Sequence, residues 1–424
     1  MKLNKTFGRI ATTLVATAML ASVAAPVYAE PTDGGEQVAP SPIEYKTGAS
    51  FSLDKVVEKE QGVYSPVTDF RFKITAAIAG SNETVDNGLP VSNGDMSVFP
   101  DVQTDDSGTP GDPSDDVEYA LLTAKYETAG HLEDSEVSVP TGTVTLRVGD
   151  IKAAGVYKYA IQELDDGYEG VAYDTTVRDL YVYIGYAEDS TDLSVLYTVV
   201  VDKTATDVTN GKTDTITNEY GVGDAENLLG ELSIEKKVTG NQGDPNATFS
   251  FSIKIDGATG EKYRATVYNW QDPVEPETEG SWVASTTTYD IESDAESATG
   301  ILLKDGQKVV ITGLSANDQY TIYEEEADKN GYITTVSGTD SNDKVTNNVK
   351  ISESLTVNDQ IVGKIATVSS DDALDVVADK AIVFENNRAT TAPTGLIMDI
   401  APYVLLVVVA AAGCFVFLRK RRED

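Results

Sequence analysis

Of 424 residues only one is cysteine, Cys414, and only one is histidine, His131. Cys414 lies inside a C-terminal apolar run, so the chain ahead of it can form no intrachain disulfide. Zinc, haem, thiol and Ser-His-Asp chemistry all need more histidine or cysteine than this. No metal or cofactor is therefore expected, and the chain is not read as an enzyme. Positive charge is scarce as well: 32 Lys and Arg stand against 69 Asp and Glu, a net charge of -37. Nucleic acid and anionic lipid surfaces are excluded as partners by that repulsion. His131 in its polar loop reads as a solvated side chain. The acidic run from Asp105 to Asp116 lacks the ligand spacing and closing Glu of a calcium loop and reads as a hydrated loop. Helical periodicity is weak throughout the exported portion.

Both ends carry signals. Lys2, Lys5 and Arg9 precede an apolar stretch from Ile10 to Ala25 and the small-residue pattern Val27-Tyr28-Ala29, which marks residues 1–29 as a secretory signal peptide cleaved after Ala29. At the other end, Ile400 to Leu418 is a nearly unbroken apolar run, long enough as a helix to cross a bilayer, with Arg419 to Arg422 held on the cytoplasmic side. An ordinary single-pass anchor has the same appearance.

What the chain does have is alternation. Segments such as TVTLRVGD, LYVYIGY and YTVVVD place Val, Ile, Leu and Tyr on every second residue between Gly, Asp and Asn, the signature of antiparallel strands with one buried face. At about 360 residues the exported portion is too long for one sandwich. An internal repeat divides it. GASFSLDKVV places Phe51, Leu53, Lys55 and Val57 on one face; GELSIEKKVTG does the same with Leu232, Ile234, Lys236 and Val238. Phe70 and Phe72 then answer to Phe249 and Phe251, Tyr159-x-Ile161-x-Glu163 to Tyr320-x-Ile322-x-Glu324, and a strand ending in Asn218 to one ending in Asn386. Lysine to glutamate spans 108 residues in the first copy and 88 in the second; glutamate to asparagine spans 55 and 62. Two domains follow, 46–222 and 229–388, with the Gly/Asp/Pro-rich segment at about 82–138 read as an excursion from the first.

A lysine on an inward strand face is costly unless its charge is relieved. A single one could snorkel out at a strand end or form a buried ion pair with glutamate. The twofold recurrence of Lys, Glu and Asn in the same order points to a Lys-Asn isopeptide bond. Desolvation favours the neutral, nucleophilic amine, and a glutamate protonated by the same surroundings can donate to the asparagine carbonyl and relay protons while ammonia leaves. Alternation selects Lys236 over Lys237, Asn386 over Asn387, and Glu324 over Glu325. Glu326 shares the parity of Glu324.

The repeats and the tail together resemble the major (backbone) pilins of Gram-positive bacteria, of the streptococcal T-antigen type, over nearly all of the chain. The resemblance implies an all-β fold: two tandem Ig-like β-sandwich domains between the N-terminal signal peptide and a C-terminal transmembrane sorting signal (391–424, transmembrane segment 400–418). It implies crosslinks Lys55 to Asn218 and Lys236 to Asn386, assisted by Glu163 and Glu324. It also likens Ala392-Pro393-Thr394-Gly395 to the family's Val-Pro-Thr-Gly sorting motif, cut by sortase between Thr394 and Gly395; Ala392 departs from the usual Val or Leu. Lys212, six residues ahead of Asn218, takes the place of the intersubunit acceptor, with Lys203 as the alternative. The implied partners are further copies of the chain, sortase, cell-wall peptidoglycan or a base pilin, and a host surface; the implied location is the cell wall and surface pilus. Two other functions compete. One is a minor or tip pilin, or a monomeric wall-anchored adhesin, using the 82–138 segment for recognition. The other is a secreted hydrolase built on paired carboxylates.

Overall fold

The computed structural model describes residues 49–390, apart from 86–87, 107–115, 188–189, 203–210, 223–228, 274–278, 294–298, 317, 328, 339–343, 346–348, 351–353, 356–359, 366, 370–374 and 378. The expected signal peptide, Lys203, Thr394, Gly395 and the apolar run at 400–418 lie outside the described residues. Among the described residues no helix is long and apolar enough to cross a membrane.

The alternating segments form the expected strands, and the fold is all-β. In the first half the principal strands are β1 (Asp54–Lys59), β2 (Thr68–Ala76), β3 (Leu89–Asn93), β4 (Val117–Tyr126), β5 (Glu136–Pro140), β6 (Gly155–Glu163), β7 (Arg178–Tyr186), β8 (Leu193–Asp202) and β9 (Thr215–Tyr220). One sheet runs β8-β7-β6-β2-β4 and continues to the short strand Gln103–Asp105; the facing sheet places the short strand Val171–Ala172 beside β9, then β1 and β5. Between them sits a core that includes Phe51, Leu53, Val57, Phe70, Phe72, Tyr159 and Ile161.

The second half repeats the plan with β10 (Gly230–Thr239), β11 (Phe249–Asp256), β12 (Lys262–Gln271), β13 (Ser281–Glu292), β14 (Thr299–Leu303), β15 (Gln307–Leu314), β16 (Gln319–Glu324), β17 (Ile333–Gly338), β18 (Ile361–Lys364) and β19 (Lys380–Asn387). One sheet contains β13-β12-β15-β10-β19-β17 and the other β14-β11-β16-β18. A separate core holds Leu232, Ile234, Phe249, Phe251, Tyr320, Ile322 and Phe384.

In each half the first strand lies parallel to the last. β1 pairs with β9 in the register Lys55 to Ile216 and Val57 to Asn218. β10 pairs with β19 in the register Lys236 to Phe384 and Val238 to Asn386. The asparagine is thus displaced by two residues from the lysine's partner in both halves, which keeps the two side chains on the same face.

The 82–138 segment is not an excursion. Its strand β4 pairs with β2 over eight positions, Thr68–Tyr126 to Thr75–Tyr119, and sends Ala120, Leu122, Ala124 and Tyr126 into the core. β5 pairs with β1, and β3 lies parallel to β6. A short helical turn, Met96–Val98, adds Met96 and Val98 to the same core. The period-2 signal of VEYALLTAKY was there to be read, but the Gly, Asp and Pro around it dominate the local composition.

The halves touch through side chains. The Tyr168 hydroxyl donates to Glu261 Oε1, whose other oxygen accepts from Tyr263 of its own half at 2.7 Å, and Arg264 Nη2 donates to the Tyr64 hydroxyl at 3.2 Å. Thr312 Oγ1 lies 3.4 Å from the Gly62 carbonyl, and Val63 packs against Gly313. The loop after β1 and the segment carrying Tyr168 therefore face the start of β12 and the end of β15.

Candidate crosslinking sites

Strand pairing brings each predicted glutamate to its lysine. Glu163 is opposite Phe72 and Glu324 opposite Phe251, so in both halves the second phenylalanine of the doublet positions the carboxyl. Lys55 Nζ donates to Glu163 Oε2 at 3.0 Å, and Asn218 Nδ2 donates to Glu163 Oε1 at 2.9 Å. In the second half Lys236 Nζ lies 3.4 Å from Glu324 Oε2 and Asn386 Nδ2 donates to Glu324 Oε1 at 2.6 Å. One carboxyl thus bridges an amine and a carboxamide in each core. None of the six side chains has more than 1% of its surface exposed.

Aromatic rings complete the enclosure. Lys55 Nζ sits 4.9 Å from the Phe70 ring centre and 5.9 Å from that of Phe72; Lys236 Nζ sits 4.4 Å from Phe249. A ring face attracts a cation but offers far less than water does. Burial accordingly lowers both lysines to about 8, against the opposing pull of their glutamates. Burial likewise raises Glu163 and Glu324 above the usual carboxyl range, although the lysines pull them down. The opposite shifts narrow the gap between the two groups, which makes proton transfer from ammonium to carboxylate cheaper than in water.

The neighbouring candidates go elsewhere. Lys237 is half exposed and pairs with Glu235 at 3.2 Å. Asn387 Nδ2 donates to Thr239 Oγ1, and Glu326 accepts from the Ser250 amide. Lys212 is exposed just ahead of β9, where its backbone bridges Val201 at the end of β8. His131 is exposed and pairs with Asp134 at 3.0 Å. Among the described residues no group of three or more His, Cys, Asp or Glu side chains is arranged to hold a metal ion.

One detail departs from the sequence expectation. Glutamate was expected to donate to the asparagine carbonyl, yet in both halves it accepts from the carboxamide nitrogen. In the first half the Asn218 carbonyl oxygen is already taken, accepting from the backbone N–H of Asp174 at 2.9 Å. In the second half Asn386 Oδ1 is buried with no hydrogen-bond partner among the described residues. Nothing in the sequence marked Asp174, because its contribution is a backbone group.

A family described as "Domain of unknown function (DUF7601)" matches residues 230–360. A curated relative named Pilin, from Streptococcus pyogenes serotype M1, is 26% identical over 268 residues, covering 63% of this chain and 68% of the relative. The crystal structure of the major pilin from Streptococcus pyogenes is 19% identical, with a TM-score of 0.47, and covers 81% of this chain and 100% of that one. The major pilin protein T3.2 from the same species is 18% identical, with a TM-score of 0.46, over 81% of this chain and 99% of that one. The chain is thus similar in sequence to a streptococcal pilin.

Proposed function

We propose that the chain is the shaft subunit of a covalently polymerised surface pilus, self-crosslinked by Lys55–Asn218 and Lys236–Asn386 isopeptide bonds. The observation that carries this reading is the pair of buried Lys-Glu-Asn triads, each spanning the first and last strands of its core with the same two-residue displacement.

The chemistry balances within each triad. Lys Nζ loses a proton to the glutamate and attacks Asn Cγ; the Nζ–Cγ bond forms, the Cγ–Nδ2 bond breaks, and the glutamate delivers protons to the departing nitrogen, which leaves as ammonia. Glu163 Oε1 and Glu324 Oε1 already lie on the leaving nitrogens, which suits them to that delivery. Each bond forms once per molecule, so the role is structural. The exported chain is then two stapled domains, 46–222 and 229–388, followed by the sorting signal.

The placement of the ends supports polymerisation. Arg388 follows β19 at the end of the second core remote from the first, six residues before Thr394; Lys212 is exposed before β9, away from the junction. Sortase would transfer Thr394 to Lys212 of the next copy, and finally to peptidoglycan or a base pilin.

Intact mass of recombinant residues 30–388 tests the first part: it should fall short of the sequence mass by two ammonia molecules, and an unmodified mass would refute the crosslinks. Immunoblots of cell-wall extracts test the second. A high-mass ladder should vanish on Lys212→Ala. A ladder that survives moves the acceptor elsewhere, and a wild type with no ladder favours the monomeric or tip reading.

A further inference from the structure

We propose that the backbone N–H of Asp174 is the oxyanion donor for the Lys55–Asn218 bond, that Arg178 positions it, and that the Lys236–Asn386 bond, with no such donor among the described residues, forms more slowly. The inference rests on the isopeptide reading above and adds an order to its two events.

When Nζ attacks Cγ, the carboxamide oxygen takes up negative charge. A fixed N–H aimed at that oxygen in a water-excluded site stabilises the charge more than the neutral carbonyl, and so lowers the barrier. Asn218 Oδ1 has such a donor at 2.9 Å. The donor is itself held: the Asp174 carboxylate accepts from the Thr176 amide at 3.1 Å and from Arg178 Nη2, and Arg178 Nη1 returns to the Thr176 carbonyl at 3.3 Å. Arg178 is 8% exposed, so this clasp is built into the domain and is not a surface pair.

Strand geometry explains why only one core has the donor. Beside β9, the short strand Val171–Ala172 pairs with Tyr220 and Glu219 and then ends, one residue short of Asn218's level. The chain leaves the ladder there, and the Asp174 N–H turns to the asparagine side chain instead. Beside β19, the strand β17 runs straight past, with Thr334 opposite Asn386 and pairing maintained on to Gly338. Its backbone groups are committed to the ladder, and Asn386 Oδ1 is left buried without a partner among the described residues. An unpaired carbonyl oxygen in that position costs stability before reaction and gains no donor in the transition state.

The full chain, made by pulse translation in a cell-free system, quenched with acid at intervals and digested, gives the test: mass spectrometry quantifies the two crosslinked peptides over time. The Lys55–Asn218 peptide should appear ahead of the Lys236–Asn386 peptide by about a hundredfold, the low side of what loss of one oxyanion donor does elsewhere. Asp174→Pro removes the N–H and should bring the first rate down towards the second, leaving the second unchanged. Asp174→Ala and Arg178→Ala keep the N–H but loosen its clasp and should slow the first bond less, with Arg178→Lys restoring part of the rate. Equal rates in the wild type, or a second bond that leads, overturn the proposal; so does an unchanged first rate in a folded Asp174→Pro chain. Absence of both crosslinked peptides would instead sink the isopeptide reading itself.

Discussion

Lys55 and Lys59 stand on the same strand and the same face, four residues apart, and both are buried, yet they are in different chemical situations. The Lys59 ammonium donates to the carbonyls of Val63, at 2.7 Å, and Asp134. Among the described residues the Lys55 ammonium has the Glu163 carboxyl as its hydrogen-bond partner, with two phenyl rings beside it. Burial lowers both lysines. A carbonyl can hold an ammonium but cannot take its proton, whereas a carboxylate can do both. An inward lysine is therefore not in itself a reactive one; what distinguishes Lys55 is a proton acceptor that also touches a carboxamide.

Substitutions at the two lysines and their acceptors should separate those situations. The largest effect belongs to Glu163→Gln: intact mass should show one ammonia lost instead of two, and chemical denaturation should show about 4 to 5 kcal/mol less stability in the first domain, from the loop closure the crosslink no longer provides. Next comes a pH effect in Asn218→Ala, which keeps the lysine unreacted. There the folded Lys55 releases its proton at about 8 while the unfolded one holds it to its ordinary 10.5. The unfolded state then binds more protons between those values, so stability should rise with pH across that window, by about 3 kcal/mol at most. Lys55→Met in the same background should flatten the rise. The smallest effect should come from Lys59→Met, which leaves both ammonia losses intact and lowers stability by about 1 to 3 kcal/mol, as the carbonyls it satisfied lose their donor. A missing ammonia in that variant would erase the distinction between the two lysines.

How much of this was legible in the sequence follows from the same pair. Period-2 alternation placed Phe51, Leu53, Lys55 and Val57 on one face, and it selected Lys236 over Lys237 and Asn386 over Asn387 as the residues that meet a buried glutamate. Had it been carried two residues further it would have reached Lys59 as well, and parity alone could not have told the two apart. The repeat could, because four residues past Lys236, where Lys59 stands past Lys55, the second copy has Gly240. What escaped was either hidden by its flanks or not encoded in side chains. Strand β4 lies beside a Gly/Asp/Pro-rich stretch whose composition masks its alternation; the Asp174 donor is a backbone group; and the contact of Tyr168 with Glu261 joins residues 93 apart across two cores that alternation treats separately.

The position of Lys212 has a consequence for how tension would travel. With Lys212 as the point where the next subunit pulls and Thr394 as the point where this one pulls back, the loaded contour runs from Lys212 through β9 and the junction into β10, crosses from Lys236 to Asn386, and leaves along the tail. A Lys236–Asn386 staple would then take the place of the 149 residues of chain between Lys237 and Glu385 in the load line. A Lys55–Asn218 staple would be a side branch, tying β1 to a strand already under load without shortening the path. One bond would set the filament's extensibility, and the other would keep a folded bead threaded on the line.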